Sequence, residues 1–166
     1  MDVKPSQNRT WWWLIVVAAL CALSWSWSVA DNPTSDQSGT LEATLHPPSQ
    51  VEAILRRSCY DCHSNSTDWP WFIHFRPFAA KIRRDVADGR KGLNFSEWRA
   101  QTGGNPQLES RTLATSCSLM QAGMMPPRYY SYVHPGAAPS SAEVKRFCRW
   151  ANETSNRLAE RQQQTR

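Results

Sequence analysis

The chain has 166 residues, 40% of them hydrophobic, and a net charge of +5 at pH 7, which suits one small domain with flanking segments and leaves no room for several. No carboxylate pair, nucleophile triad or phosphate-binding loop stands out, so the commonest catalytic classes have no foothold at the outset.

Residues 1–9 carry Lys4 and Arg9 and precede the apolar run from Trp11 to Leu23, the charged n-region and apolar h-region of an export signal. Ser28-Val29-Ala30 offers a small-x-small cleavage site, after which Asp31 would begin the mature chain. The alternative is an uncleaved inner-membrane anchor, because Trp11 to Ala30 is about 20 residues, the length that crosses a bilayer, with tryptophans toward both ends. Both readings place the remainder in the periplasm, soluble or anchored, since the basic residues precede the apolar run. Export also argues against a nucleic-acid partner. Cys21 follows bulky Leu20 where a lipobox needs a small residue, so lipidation is not expected.

Residues 31–48 are rich in Ser, Thr, Asp and Pro and predict a flexible linker; residues 153–166 predict a polar tail that frays. Between them, 49–152 forms the domain. Ser49 and Glu52 have capping-box spacing, and Val51, Ile54 and Leu55 share one face, so a helix is expected to run to Ser58. It delivers Cys59-Tyr60-Asp61-Cys62-His63. Two thiols three residues apart on a helical turn can reach the two vinyl groups of a porphyrin, and the adjacent imidazole can reach the iron, so the run reads as an attachment site for one haem c. The same Cys-x-x-Cys spacing also serves zinc sites and dithiol redox centres.

After the turn at Ser64–Asp68, Trp69 and Trp71 are expected to cover the haem face, with Tyr129 further on as a third pocket aromatic. Pro77 opens a helix with Phe78, Ile82 and Val86 inward and Gly89 at its end. Asn94 and Glu97 cap a short turn holding Phe95 and Trp98. Asn105-Pro106 opens another helix, with Leu113, Cys117 and Met120 inward, closing at Gly123. Residues 124–130 are expected to form an irregular loop around two prolines, and Ser140 and Glu143 cap a last helix with Val144, Phe147, Cys148 and Ala151 inward. No strand pattern occurs. The fold class is all-α, a small cytochrome c-like domain around one covalent haem, preceded by an N-terminal apolar helix.

His63 is then the proximal iron ligand and Met125, in a Gly-x-Met-Pro-Pro loop, the expected distal one; Met124 and His134 are the alternatives, and His74 also offers an imidazole. Cys117 and Cys148 either bridge two helices or remain separate buried thiols. The basic residues Arg56, Arg57, Lys81, Arg83, Arg84, Arg90 and Lys91 are a solvated face or a docking surface for an acidic redox partner or anionic lipid.

The sequence resembles the bacterial haem-binding domain proteins related to c-type cytochromes. The likeness rests on Cys59-Tyr60-Asp61-Cys62-His63-Ser64-Asn65, Trp69-Pro70-Trp71, Asp85-Val86 with Gly89-Arg90, the run from Leu93 to Trp98, Met125-Pro126-Pro127 with Tyr129-Tyr130, His134-Pro135 and Trp150. It implies haem held by Cys59 and Cys62, His63 on the iron, and a site outside the cytoplasm. The block Trp71-Phe72-Ile73-His74-Phe75 departs from the Trp-Tyr-Ser type expected there. The function expected is electron transfer by a non-enzymatic monohaem carrier. A haem-based sensor, or a peroxidase-like protein with an open distal site, is the alternative.

Overall fold

The computed structural model describes residues 7–24 and 31–164, and its regular elements there are all helical. In chain order they are α1 (Gln7–Ser24), α2 (Leu41–Leu45), α3 (Ser49–Ser58), α4 (Tyr60–His63), α5 (Arg76–Gly92), α6 (Trp98–Thr102), α7 (Pro106–Gln121), α8 (Arg128–Val133) and α9 (Ser141–Gln164), with short 3-10 turns at Gln37–Gly39, Trp71–His74 and Phe95–Glu97. The chain divides into two units, Met1–Asp31 with Trp69–Asp85, and Asn32–Asp68 with Val86–Arg166.

In the first unit, α1 carries the apolar N-terminal run with its side chains exposed from Trp11 to Leu23. No helix among the described residues is long and apolar enough to cross a membrane. The Ser28-Val29-Ala30 cleavage motif lies outside the described residues. Trp71 meets Phe72 and Phe75 edge-on at 5.6 and 6.1 Å. Phe78 departs from its expected inward position: it stands 62% exposed, with its ring edge-on to Phe72.

The second unit is built on α7 and α9, whose apolar faces meet through Leu113, Cys117 and Met120 on one side and Phe147, Cys148 and Ala151 on the other. A disulfide joins Cys117 to Cys148 across that contact. Val51, Ile54 and Leu55 of α3 enter the same core, as do Phe95 and Trp98. Ser140 and Glu143 cap α9 reciprocally: Glu143 N–H donates to Ser140 Oγ, and Ser140 N–H and O–H donate to Glu143 Oε2.

Three segments differ from their sequence expectation. Residues 31–48 are not a free linker: Thr40 caps α2, and Leu41 and Leu45, one helical turn apart, are 0% and 5% exposed. Burial of each such leucine contributes about 1.5–3 kcal/mol, so two apolar residues suffice to dock an otherwise polar stretch. The tail after 152 stays helical to Gln164 because Thr154 and Leu158 continue the buried stripe of Phe147, Cys148 and Ala151. Finally, the stretch around Pro126 and Pro127 is irregular only as far as Pro127, which serves as the N-cap of α8.

Candidate functional site

α3 ends at Ser58, and Cys59 forms the joint to the single turn α4. The Cys62 and His63 amides both donate to the Cys59 carbonyl, at 3.2 and 2.9 Å. That turn brings residues i and i+4, here Cys59 and His63, to the same side, while Cys62 packs against Gly89. Tyr60 goes the other way, buried and stacked on Phe95 at 5.6 Å. The loop after His63 is held from outside: Arg90 donates to the Ser64 carbonyl and to Thr67 Oγ1, and Asn65 joins Ser96, Glu97 and Asn94 in a hydrogen-bonded group.

The His63 ring is fixed by its surroundings. Its Nδ1 lies 3.1 Å from the Gly89 carbonyl, in the last turn of α5, which runs past the expected end at Gly89 to Gly92, and 3.0 Å from the carbonyl of Leu93 just after the helix. Two carbonyls can only accept, so Nδ1 carries the hydrogen, and in the neutral ring it is Nε2 that offers its lone pair to another partner. This is the arrangement metal-bound imidazoles adopt, with the outer nitrogen donating to backbone oxygen. α5 gets this close because residue 89 is glycine: a Cβ there would lie 2.4 Å from the Cys62 carbonyl oxygen and 3.1 Å from Cys62 Cβ.

Cys59 and His63 border a cleft of about 420 Å³. Its walls are apolar, with Leu55, Leu93, Phe95, Leu119 and Phe147, and one edge is polar, with Arg111, Thr112, Thr115 and Ser116 of α7. Met125 lines the same cleft. So does Met120, which is 7% exposed and belongs to the core as well.

The other anticipated residues fall elsewhere. Cys62 remains a thiol, half-buried with its backbone against Gly89, and is not among the cleft's lining residues. Met124 is 62% exposed and does not line the cleft. His134 stacks on Tyr130 at 4.1 Å, its Nε2 3.9 Å from Asp61 Oδ2, and borders a different pocket beside Arg56 and Arg57. Tyr129 is 51% exposed on α8. Trp69, Trp71 and His74 belong to the first unit, where Trp71 is 75% exposed.

Burial, and secondarily the neighbouring Cys62, push the Cys59 thiol up to about 12. A dithiol redox centre needs a thiolate at its attacking sulfur, and this site does the reverse. Among the described residues no group of three or more His, Cys, Asp and Glu side chains is gathered for a metal ion, so a four-ligand zinc centre has no donor set here. A porphyrin iron brings four nitrogens of its own and asks the protein for one or two axial ligands, which fits one available imidazole nitrogen in an apolar cleft.

A haem-binding domain model matches residues 18–153, most of the chain. The chain belongs to the haem-binding domain family. No curated protein and no solved structure matches it significantly. In this haem-binding domain, the cleft offers what a haem would need, one imidazole nitrogen and apolar walls.

Sequence reasoning missed two parts of the site. One is the pair of carbonyl acceptors at Gly89 and Leu93, for which Gly89 is the only sequence signal. The other is the hydrogen bond from the Tyr130 hydroxyl to Asp61 Oδ2, at 2.6 Å, which joins α8 to the residue between the two thiols.

Proposed function

We propose that this haem-binding domain carries one haem c, bonded through Cys59 and Cys62, and transfers single electrons outside the cytoplasm to a redox partner protein. The observation that carries the reading is the fixed tautomer of His63, whose Nδ1 donates to Gly89 and Leu93 and whose Nε2 lone pair is left for iron. The cofactor, when bound, supplies a one-electron ferric/ferrous couple.

The chain's own residues do the remaining work. Cys59, on the cleft wall, and Cys62, three residues further along the turn and outside the lining, would supply the two thioethers. His63, held against rotation by its two carbonyl acceptors, would hold the iron through Nε2. Leu55, Leu93, Phe95 and Phe147 keep water from the cleft, which favours the less charged ferrous state. Met125, on the same cleft, would be the second residue to hold the iron, and a thioether in that role raises the reduction potential relative to a second imidazole. No substrate bond is made, so the domain is a carrier rather than an enzyme. The N-terminal segment, with Lys4 and Arg9 ahead of its apolar run, would export the chain.

Ferric and ferrous visible spectra of the native protein and of Met125→Ala test this. The expected result is a low-spin native protein in both states and a variant that turns high-spin and takes up added ligands. A native ferric spectrum already high-spin and unchanged in Met125→Ala would overturn it in favour of a sensor or peroxidase-like site with an open distal face.

A further inference from the structure

Asp61 lies between the two thiols of the haem motif, and its carboxylate has partners on two sides. Oδ1 accepts from the Asp68 amide at 2.9 Å, and Oδ2 accepts from the Tyr130 hydroxyl at 2.6 Å. The second distance is that of a charge-assisted O–H···O⁻ bond. Asp61's own carbonyl accepts from Thr67 Oγ1 at 2.7 Å, so the residue is fixed to the loop after His63 as well. The Tyr130 ring is held in turn by His134, stacked at 4.1 Å with 19° between planes. Burial, and then the bond to Asp61, push the Tyr130 hydroxyl's titration up, which favours the protonated, donating form.

Tyr130 is five residues after Met125, a path of at most about 17 Å even if extended. Pro126 and Pro127 lie between and fix two of the intervening φ angles, so little slack remains. The Tyr130 hydroxyl therefore ties the segment that carries Met125 to the turn that carries Cys59, Cys62 and His63. We propose that Tyr130 is a positioning residue for the distal ligand: through Asp61 it fixes Met125 relative to the haem motif from outside the cleft. This rests on the assignment of Met125 as a ligand made above, and the test separates the two.

Tyr130→Phe keeps the ring and its stacking on His134 and removes only the hydroxyl. A hydrogen bond to a charged group is worth about 1.5–3 kcal/mol, which corresponds to at least about tenfold in an equilibrium constant. Imidazole is titrated into the ferric holoprotein for the native chain, Tyr130→Phe, Met125→Ala and the double variant, while the sulfur-to-iron charge-transfer band is recorded. The expected result is imidazole binding at least about tenfold tighter in Tyr130→Phe, a weakened sulfur band, haem still on the chain, and a double variant identical to Met125→Ala. If Met125→Ala binds imidazole more tightly but Tyr130→Phe behaves as native, the role of Tyr130 is overturned while Met125 stands as ligand. If the double variant binds more tightly than Met125→Ala, Tyr130 acts by general loosening and the proposal fails. If Met125→Ala also changes nothing, both assignments fall. Asp61→Asn, which retains the shape but weakens the acceptor, gives the same direction with a smaller gain should Tyr130→Phe not fold; native-like imidazole binding in Asp61→Asn overturns the proposal.

Discussion

Gly89→Ala adds one methyl group where α5 crosses the haem motif. The new Cβ would sit 2.4 Å from the Cys62 carbonyl oxygen, about 0.6 Å inside the 3.0 Å limit that Cβ atoms keep, and 3.0 Å from the carbonyl carbon. The obstructing atoms are backbone and cannot swing aside, so the helix itself has to shift. Alanine gains about 1 kcal/mol of helix propensity over glycine, whereas forcing an extra methyl group to 2.4 Å from a backbone oxygen falls in the upper part of the overpacking range, about 2–3 kcal/mol. The steric term wins because the displaced segment also holds the Gly89 and Leu93 carbonyls that accept from His63 Nδ1. The net expectation is a loss of about 1–2 kcal/mol, a fall in Tm of about 2–8 °C, and a rise in reduction potential as the His63 ring becomes a weaker donor to ferric iron. Thermal unfolding followed by circular dichroism and a redox titration of the same holoprotein check it. A Gly89→Ala protein as stable as the native one or more so, with unchanged potential, would refute the close approach of α5 to the motif.

Replacing both Cys117 and Cys148 by alanine opens a bridge that spans 31 residues and is expected to cost about 3–4 kcal/mol, read as a lowered denaturant midpoint; a midpoint unmoved by the change would mean the α7–α9 contact does not depend on the bond. Glu143 is held down to about 2 by the Ser140 amide, then Arg57 and the Ser140 hydroxyl, so its contribution is present above pH 4.5 and lost as the pH falls toward 2. With its side chain partly in solvent the contribution is about 1 kcal/mol, and Glu143→Gln should lower stability by that amount at pH 7 and by nothing near pH 2, in urea titrations at the two pH values. A difference that persists undiminished at low pH would assign the effect to packing.

How much of this was legible in the sequence depended on how local the signal is. The Ser140–Glu143 cap, the Asn94 cap and the Asn105-Pro106 start of α7 are each written within four residues and occur where the sequence places them. The Cys59–His63 run is equally local. Docking of residues 31–48 was not legible, because Leu41 and Leu45 are two apolar residues in a polar stretch and their burial depends on a core assembled from distant segments. Nor was α8: Pro126-Pro127 reads as a loop signal, yet a proline just before a helix is also a good start, and the choice is made by Tyr130 reaching Asp61, 69 residues away in the chain. Backbone acceptors leave no mark on a sequence at all, and those of His63 are visible only as the absence of a side chain at Gly89.

The claim on which the account depends is that the cofactor is bonded to Cys59 and Cys62. Denaturing the purified holoprotein under reducing conditions, extracting it with acidified organic solvent and measuring the intact mass of what remains tests it directly. The account predicts that the red colour and the mass of one haem stay with the chain, and that both are lost when Cys59 and Cys62 are changed to alanine. A colourless chain of bare polypeptide mass, with the pigment in the extract, would contradict it.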